Sequence, residues 1–205
     1  MGGQLWDLLL FTRHRNNGFV WNGVNLSQFT VFYGEASAAT SPTPPGNEFA
    51  INLINNPLEN NTIYANGNLI QNGSVITFYA NTNPTTNESG FYFTLGANSA
   101  GVGPIFNMYL ASPFGFSVVG WGTSAGWNAG ATPVQKYGLA ADVWDGNYHK
   151  FVFTINDSGT EADLNIDGTD WGSVSLNGPL EGSYFGFIQP EGTDSVYIYD
   201  LSIVN

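Results

Sequence analysis

The sequence contains no cysteine, which excludes a disulfide framework and thiolate chemistry alike. Basic residues are nearly as scarce: 4 Lys and Arg stand against 16 Asp and Glu, for a formal net charge of -12. Binding phosphate backbones needs a basic footprint, so the balance argues against nucleic acid as a partner. It argues equally against an anionic membrane surface. Charged residues of both signs make up only 10% of the chain, where about a quarter is usual. No apolar run reaches transmembrane length, and no segment carries the period of an amphipathic helix. The 2 histidines, His14 and His149, come without a G-x-S-x-G elbow, so a nucleophilic triad has no support. No His/Cys group could hold zinc. In the opening stretch MGGQLWDLLLFTRHR the acid precedes the apolar patch and the bases follow it, the wrong order for a secretory signal. A signal already removed, export as a virion component and retention inside the cell all stay open.

What is abundant is glycine, asparagine, serine, threonine and aromatic side chains, the last at 15% of 205 residues. A polar, weakly charged surface of this kind suits hydrogen bonding to sugars or to neighbouring subunits, and an extracellular, cell-surface or virion location. The acids are unevenly spread, with 11 of them from Asp142 onward. Five N-x-S/T sequons occur, at Asn25, Asn60, Asn72, Asn87 and Asn156; chance supplies several in a chain of this composition.

The stretch Asp142–Trp171 organises the rest. Within it Tyr148–Ile155 alternates, with Tyr148, Lys150, Val152 and Thr154 on one face and His149, Phe151, Phe153 and Ile155 on the other. Ala162–Asp167 alternates likewise, setting Ala162, Leu164 and Ile166 against Asp163, Asn165 and Asp167. A period of two predicts half-buried strands, and the Asn-Asp-Ser-Gly join at 156–159 predicts a hairpin between them. Further strands are predicted at Leu26–Tyr33, Glu48–Leu53, Thr62–Tyr64, Leu69–Ile70, Val75–Ala80, Gly90–Leu95, Ile105–Leu110, Phe114–Trp121, Gly172–Leu176, Ser183–Ile188 and Val196–Val204. Leu5–Thr12 reads as a strand or a helical turn that could pair near the C-terminal strand. Ala36–Gly46, with small residues and three prolines, reads as a loop, as does Gly120–Gly130. About a dozen strands separated by Gly, Asn and Pro turns imply an all-β, two-sheet antiparallel sandwich. We expect one domain over 1–205, with 1–18 as an extended N-terminal arm.

The run DGNYHKFVFTINDSGTEADLNIDG resembles the DG-x-W/Y-H-x-V … L-Y-V-DG core of laminin-G-like, or concanavalin A-like, sandwich domains. SVYIYDLSI near the end is similar to that family's closing strand. The resemblance implies a jelly-roll sandwich of a family that spans lectins, glycan- and protein-binding modules, some hydrolases and lyases, and structural domains of viral or cell-surface proteins. It implies that Tyr148 packs in the core, and that calcium can bind at the sandwich rim. A viral-capsid type of jelly roll is not separated from this one by composition.

Candidate sites follow from the residues. Trp121, Trp127, Trp144 and Trp171 lie in or beside Gly- or Asp-rich turns, with Asn128 and Asp145 adjacent to two of them. Flat rings stack on sugar faces while amides and carboxylates bind hydroxyls, so Trp121, Trp127, Asn128, Trp144 and Trp171 are the candidate glycan site. Asp142, Asp145, Asp167 and Asp170 bracket two turns and are candidate calcium ligands, although Asp145 and Asp167 each open an Asp-Gly turn and need no ion to explain them. Glu161, Asp163, Asn165 and Asp167 share a strand face, and paired carboxylates are what a glycosidase needs. The E-x-D-x-x-E strand of the related hydrolases is incomplete here, because its final Glu is missing. The expectation is a non-catalytic glycan-binding or adhesion module whose partner is a glycan or a cell-surface or virion protein. A subunit that assembles with copies of itself and a glycan-active enzyme are the alternatives.

Overall fold

A computed structural model of the chain describes residues 17–21, 26–46, 49–54, 61–66, 70–82, 90–97, 106–111, 115–120, 146–175, 184–189 and 195–205. Its strands are β1 (Asn17–Trp21), β2 (Phe29–Tyr33), β3 (Ala36–Ala39), β4 (Ala50–Leu53), β5 (Asn61–Ala65), β6 (Val75–Thr82), β7 (Gly90–Ala97), β8 (Phe106–Ala111), β9 (Gly115–Gly120), β10 (His149–Ile155), β11 (Glu161–Ile166), β12 (Thr169–Ser175), β13 (Tyr184–Gln189) and β14 (Val196–Val204). They form an 8-stranded sheet in the order β12-β11-β10-β6-β14-β4-β3, with β1 also on β14, and a 6-stranded sheet in the order β2-β5-β13-β7-β8-β9. Every pairing is antiparallel, and the whole is a jelly-roll sandwich. No helix among the described residues is long and apolar enough to cross a membrane.

The alternation seen in the sequence is the alternation of burial. Phe151, Phe153 and Ile155 of β10 are buried, as are Ala162, Leu164 and Ile166 of β11. Between the sheets the 8-stranded side contributes Phe78, Phe151 and Phe153, and the 6-stranded side Phe93, Phe185 and Phe187, each at most 1% exposed. The rings interlock across the gap. Phe93 and Phe153 centroids are 4.6 Å apart, and Phe78 meets Phe187 edge-on at 5.0 Å. Such pairs add to the gain from burying their area.

The hairpin at 156–159 forms as expected. Asn156 Oδ1 accepts from the backbone N–H groups of Thr160 (2.9 Å) and Glu161 (3.2 Å), an Asx-type turn that replaces the missing ladder bonds. Three expectations need correcting. Ala36–Ala39 is not loop but strand β3, paired with β4; as the last strand of its sheet's order it has one neighbour to satisfy, and small side chains suffice. Leu26–Gln28 makes a 3-10 turn before β2 begins at Phe29. Ile70 lies outside any strand. The N-terminal strand that pairs with the C-terminal one is Asn17–Trp21; Leu5–Thr12 lies outside the described residues.

Tyr148 is the fourth correction. It does not enter the core, because it shares the alternation of Lys150, Val152 and Thr154 and so belongs to the outer face of the larger sheet. There its ring stands edge-on to Tyr199 at 6.1 Å and its hydroxyl donates to the Pro42 carbonyl at 3.1 Å.

Candidate functional site

The outer face of β10, β11 and β12 carries the site. Register places Thr154 beside Asp163 and Asp163 beside Ser173 in one row, and Val152 beside Asn165 and Asn165 beside Asp170 in the next. Cross-strand neighbours share a face, so these six side chains form a grid. They line an open trough of about 440 Å³ whose floor includes Leu164 and Gly172.

A bulge shapes the outer wall. Leu164 faces Gly172 while Asn165 faces Asp170, so Trp171 is the extra residue of β12. Bulges re-aim a strand locally. The turn is tightened by its own polar groups: Gly172 N–H donates to Asp170 Oδ1 at 2.7 Å, and Gly168 N–H to Asn165 Oδ1 at 2.8 Å. Ser173 Oγ donates to Asp163 Oδ1. What the trough offers a ligand is therefore the second oxygen of each carboxylate, the Asn165 amide N–H groups and the Thr154 hydroxyl. These are mixed donors and acceptors beside the half-buried Val152 side chain, a composition suited to hydroxyl-rich molecules.

The sequence-predicted residues distribute unevenly. Asp170 lines the trough and Trp171 is next to it in the bulge. Asp167 serves a different purpose. It opens the two-residue turn between β11 and β12 with φ 51°, followed by Gly168 at φ 83°, the geometry of a type I′ hairpin. Its Oδ2 meets His149 Nδ1 at 2.6 Å and its Oδ1 accepts from the Lys150 N–H at 2.8 Å. Both oxygens are thus used in tying the turn to β10, with His149 as one of the anchors. Trp121, Trp127, Asn128, Asp142, Trp144 and Asp145 lie outside the described residues.

Calcium is implied by the resemblance, and of its expected ligands Asp167 and Asp170 lie among the described residues. Asp167 has both oxygens committed to protein donors and Asp170 has one committed. Among the described residues no group of three or more His, Asp or Glu gathers in a way that could hold a metal ion. The carboxylate row expected along β11 is also shorter than it looked, since Glu161, Asp163 and Asn165 remain on the outer face while Asp167 turns to β10.

Sequence reasoning passed over Val152, Thr154 and Ser173 as site residues. The signal was present for the first two in the outward half of the alternation of β10. For Ser173 there was none, because the bulge at Trp171 shifts which residues of β12 face outward.

No known protein family matches the sequence, and no curated protein matches it. Solved structures do match in fold. The legume lectin-like domain from Entamoeba histolytica superposes with a TM-score of 0.63 at 7% identity, covering 91% of this chain and 96% of that one. The carbohydrate recognition domain of Emp46p in its potassium-bound form gives 0.62 at 12% identity, covering 92% and 97%. The carbohydrate binding module CBM66 from Bacillus subtilis gives 0.61 at 9%, covering 87% and 96%. At these identities the likeness is one of fold: an antiparallel jelly roll shared with lectin-like domains.

Proposed function

We propose that the chain is a non-catalytic glycan-binding or adhesion module that takes a saccharide in the trough on the outer face of β10, β11 and β12. The observation that carries this reading is the open grid of Thr154, Asp163, Ser173, Asn165 and Asp170 around the half-buried Val152 on the outer face of the larger sheet. The fold agrees, since the solved structures it resembles include proteins named as carbohydrate recognition domains and a carbohydrate binding module. Asp163 and Asp170 accept from sugar hydroxyls, Asn165 donates, and the candidate Trp171 is one residue along β12 from Asp170. The interrupted carboxylate row and the commitment of Asp167 to β10 support a binding rather than a hydrolytic role.

The setting we propose is extracellular, at a cell surface or on a virion. Calcium belongs to the proposal through Asp142 and Asp145 together with Asp170: a calcium titration that raises the melting temperature supports it, and an unchanged melting temperature overturns it. The deciding experiment is binding of the full chain to a panel of neutral oligosaccharides, repeated with Asp163→Ala and Asp170→Ala. Loss of at least tenfold in affinity in both variants supports the trough. Binding that both variants leave intact, or no binding to any member of the panel, overturns it.

A self-assembling subunit is the second reading. It rests on β2, the first strand in its sheet's order, where Val31 is 43% exposed. Light scattering decides between the two: a large closed or filamentous species favours assembly, and a monomer the binding module.

A further inference from the structure

Away from the trough, at the other side of the same outer face, β4, β14 and β6 set Asn52, Tyr197 and Asn81 side by side. Tyr197 is in register with both asparagines. Asn52 Oδ1 and Asn81 Oδ1 are each buried and have no hydrogen-bond partner among the described residues, and Asn81 is only 1% exposed. Buried acceptors are rarely left so, and here two of one kind flank a single ring.

Two segments roof the row. The first is the turn before β10: Gly146 accepts from Asn81 Nδ2 at 2.5 Å, and Tyr148 stands on Tyr199. The second is the loop after β3, in which Pro44 is buried. The hydrogen bond from Tyr148 to the Pro42 carbonyl joins the two.

We propose that Asn52, Tyr197 and Asn81 form a second binding site, for one ring of a neutral polyhydroxylated ligand of hexopyranose type, entered when the Tyr148–Pro42 bond opens. The inference rests on the glycan reading above and extends it to a separate place. The ligand class follows from three features. Both orphaned atoms are acceptors, so the guest supplies donors. The row's own side chains are uncharged, so the guest needs no charge. The asparagines are two inter-strand spacings apart, roughly 10 Å between backbones. A single ion, with bonds of about 2.4 Å, does not bridge that span, whereas a sugar ring carrying hydroxyls at opposite ends does, with its apolar face on Tyr197.

The test is calorimetric titration of the full chain with the methyl glycosides of glucose, galactose and mannose, alongside thermal melting. Asn52→Leu is expected to weaken binding of the preferred glycoside at least tenfold while keeping or raising the melting temperature, because it removes a buried acceptor that has no protein partner. Asp163→Ala and Asp170→Ala are expected to leave this affinity unchanged. Tyr148→Phe, which keeps both acceptors, is expected to speed association several-fold. Wild-type-like binding in Asn52→Leu overturns the site and leaves the trough standing, and so does the absence of monosaccharide binding when oligosaccharides still bind. Monosaccharide binding lost in Asn52→Leu but insensitive to both trough variants upholds this site, while oligosaccharide binding that both trough variants leave intact overturns the trough alone. Unchanged association in Tyr148→Phe overturns the entry route.

Discussion

Asp167 combines three demands in one side chain. It tolerates a left-handed backbone, it accepts from the Lys150 N–H, and it pairs with His149, whose side chain is 12% exposed. Asp167→Ala removes both contacts and places a residue without a local polar group at positive φ. The expected loss is about 1–2 kcal/mol, read by urea denaturation; an unchanged midpoint would show that the turn holds without the carboxylate. Tyr148 makes a prediction about pH. Burial, reinforced by the neighbouring Tyr197, pushes its hydroxyl well above the ordinary phenol range. The fold therefore favours the neutral hydroxyl. That contribution is complete below the unfolded value near pH 10 and is lost as pH rises beyond it. Stability should fall from about pH 10 upward, and Tyr148→Phe should flatten the fall. Equal slopes in the two proteins would refute the assignment.

Strands and turns differ in what they risk. In the core, Phe93 touches Phe78, Phe153, Phe185 and Phe187 and is 0% exposed. Phe93→Ala opens a cavity between two sheets that cannot both close on it, at a cost of about 3–5 kcal/mol, measurable by denaturation. The turn of the central hairpin is more forgiving. Gly159 has φ 69°, and a Cβ there would come within 2.2 Å of Asn72 Oδ1. Asn72 is exposed and its carboxamide is the far end of a flexible side chain, so the clash is relieved and backbone strain dominates. Gly159→Ala should cost about 1–2 kcal/mol, clearly less than the core change; a larger loss would mean that Asn72 cannot move. These elements were largely legible beforehand. Strand β10, strand β11 and the turn between them follow from a period of two and from Asn and Gly at the join. The strand β3 was hidden because its alanines, serine and following prolines resemble a loop, and only its pairing with β4 makes it a strand.

Across the whole molecule, two sheets share one core and turn one face of the larger sheet outward as a polar surface. Part of that surface is the open trough and part is roofed by the loops around Pro42 and Gly146. The two regions predict separable behaviour. Trough variants should affect oligosaccharide binding, roof and row variants monosaccharide binding, and neither set should disturb the phenylalanine core.

The local pattern was sufficient for an all-β sandwich and for which residues of β10 and β11 face inward, because alternation and turn chemistry act between near neighbours in the chain. Asp170 and Trp171 were visible as candidates for the same reason: their turn is local. The bulge that decides what β12 presents, the grid linking Thr154 to Ser173, and the row of Asn52, Tyr197 and Asn81 were not visible. The bulge and the grid depend on the register between neighbouring strands, and the row on pairing between strands distant in sequence. The contacts that roof the row join residues 65 and 106 positions apart, Asn81 to Gly146 and Tyr148 to Pro42. A hydrogen bond across such a distance depends on how the sheets fold over one another, and nothing in the residues on either side of it announces the partner.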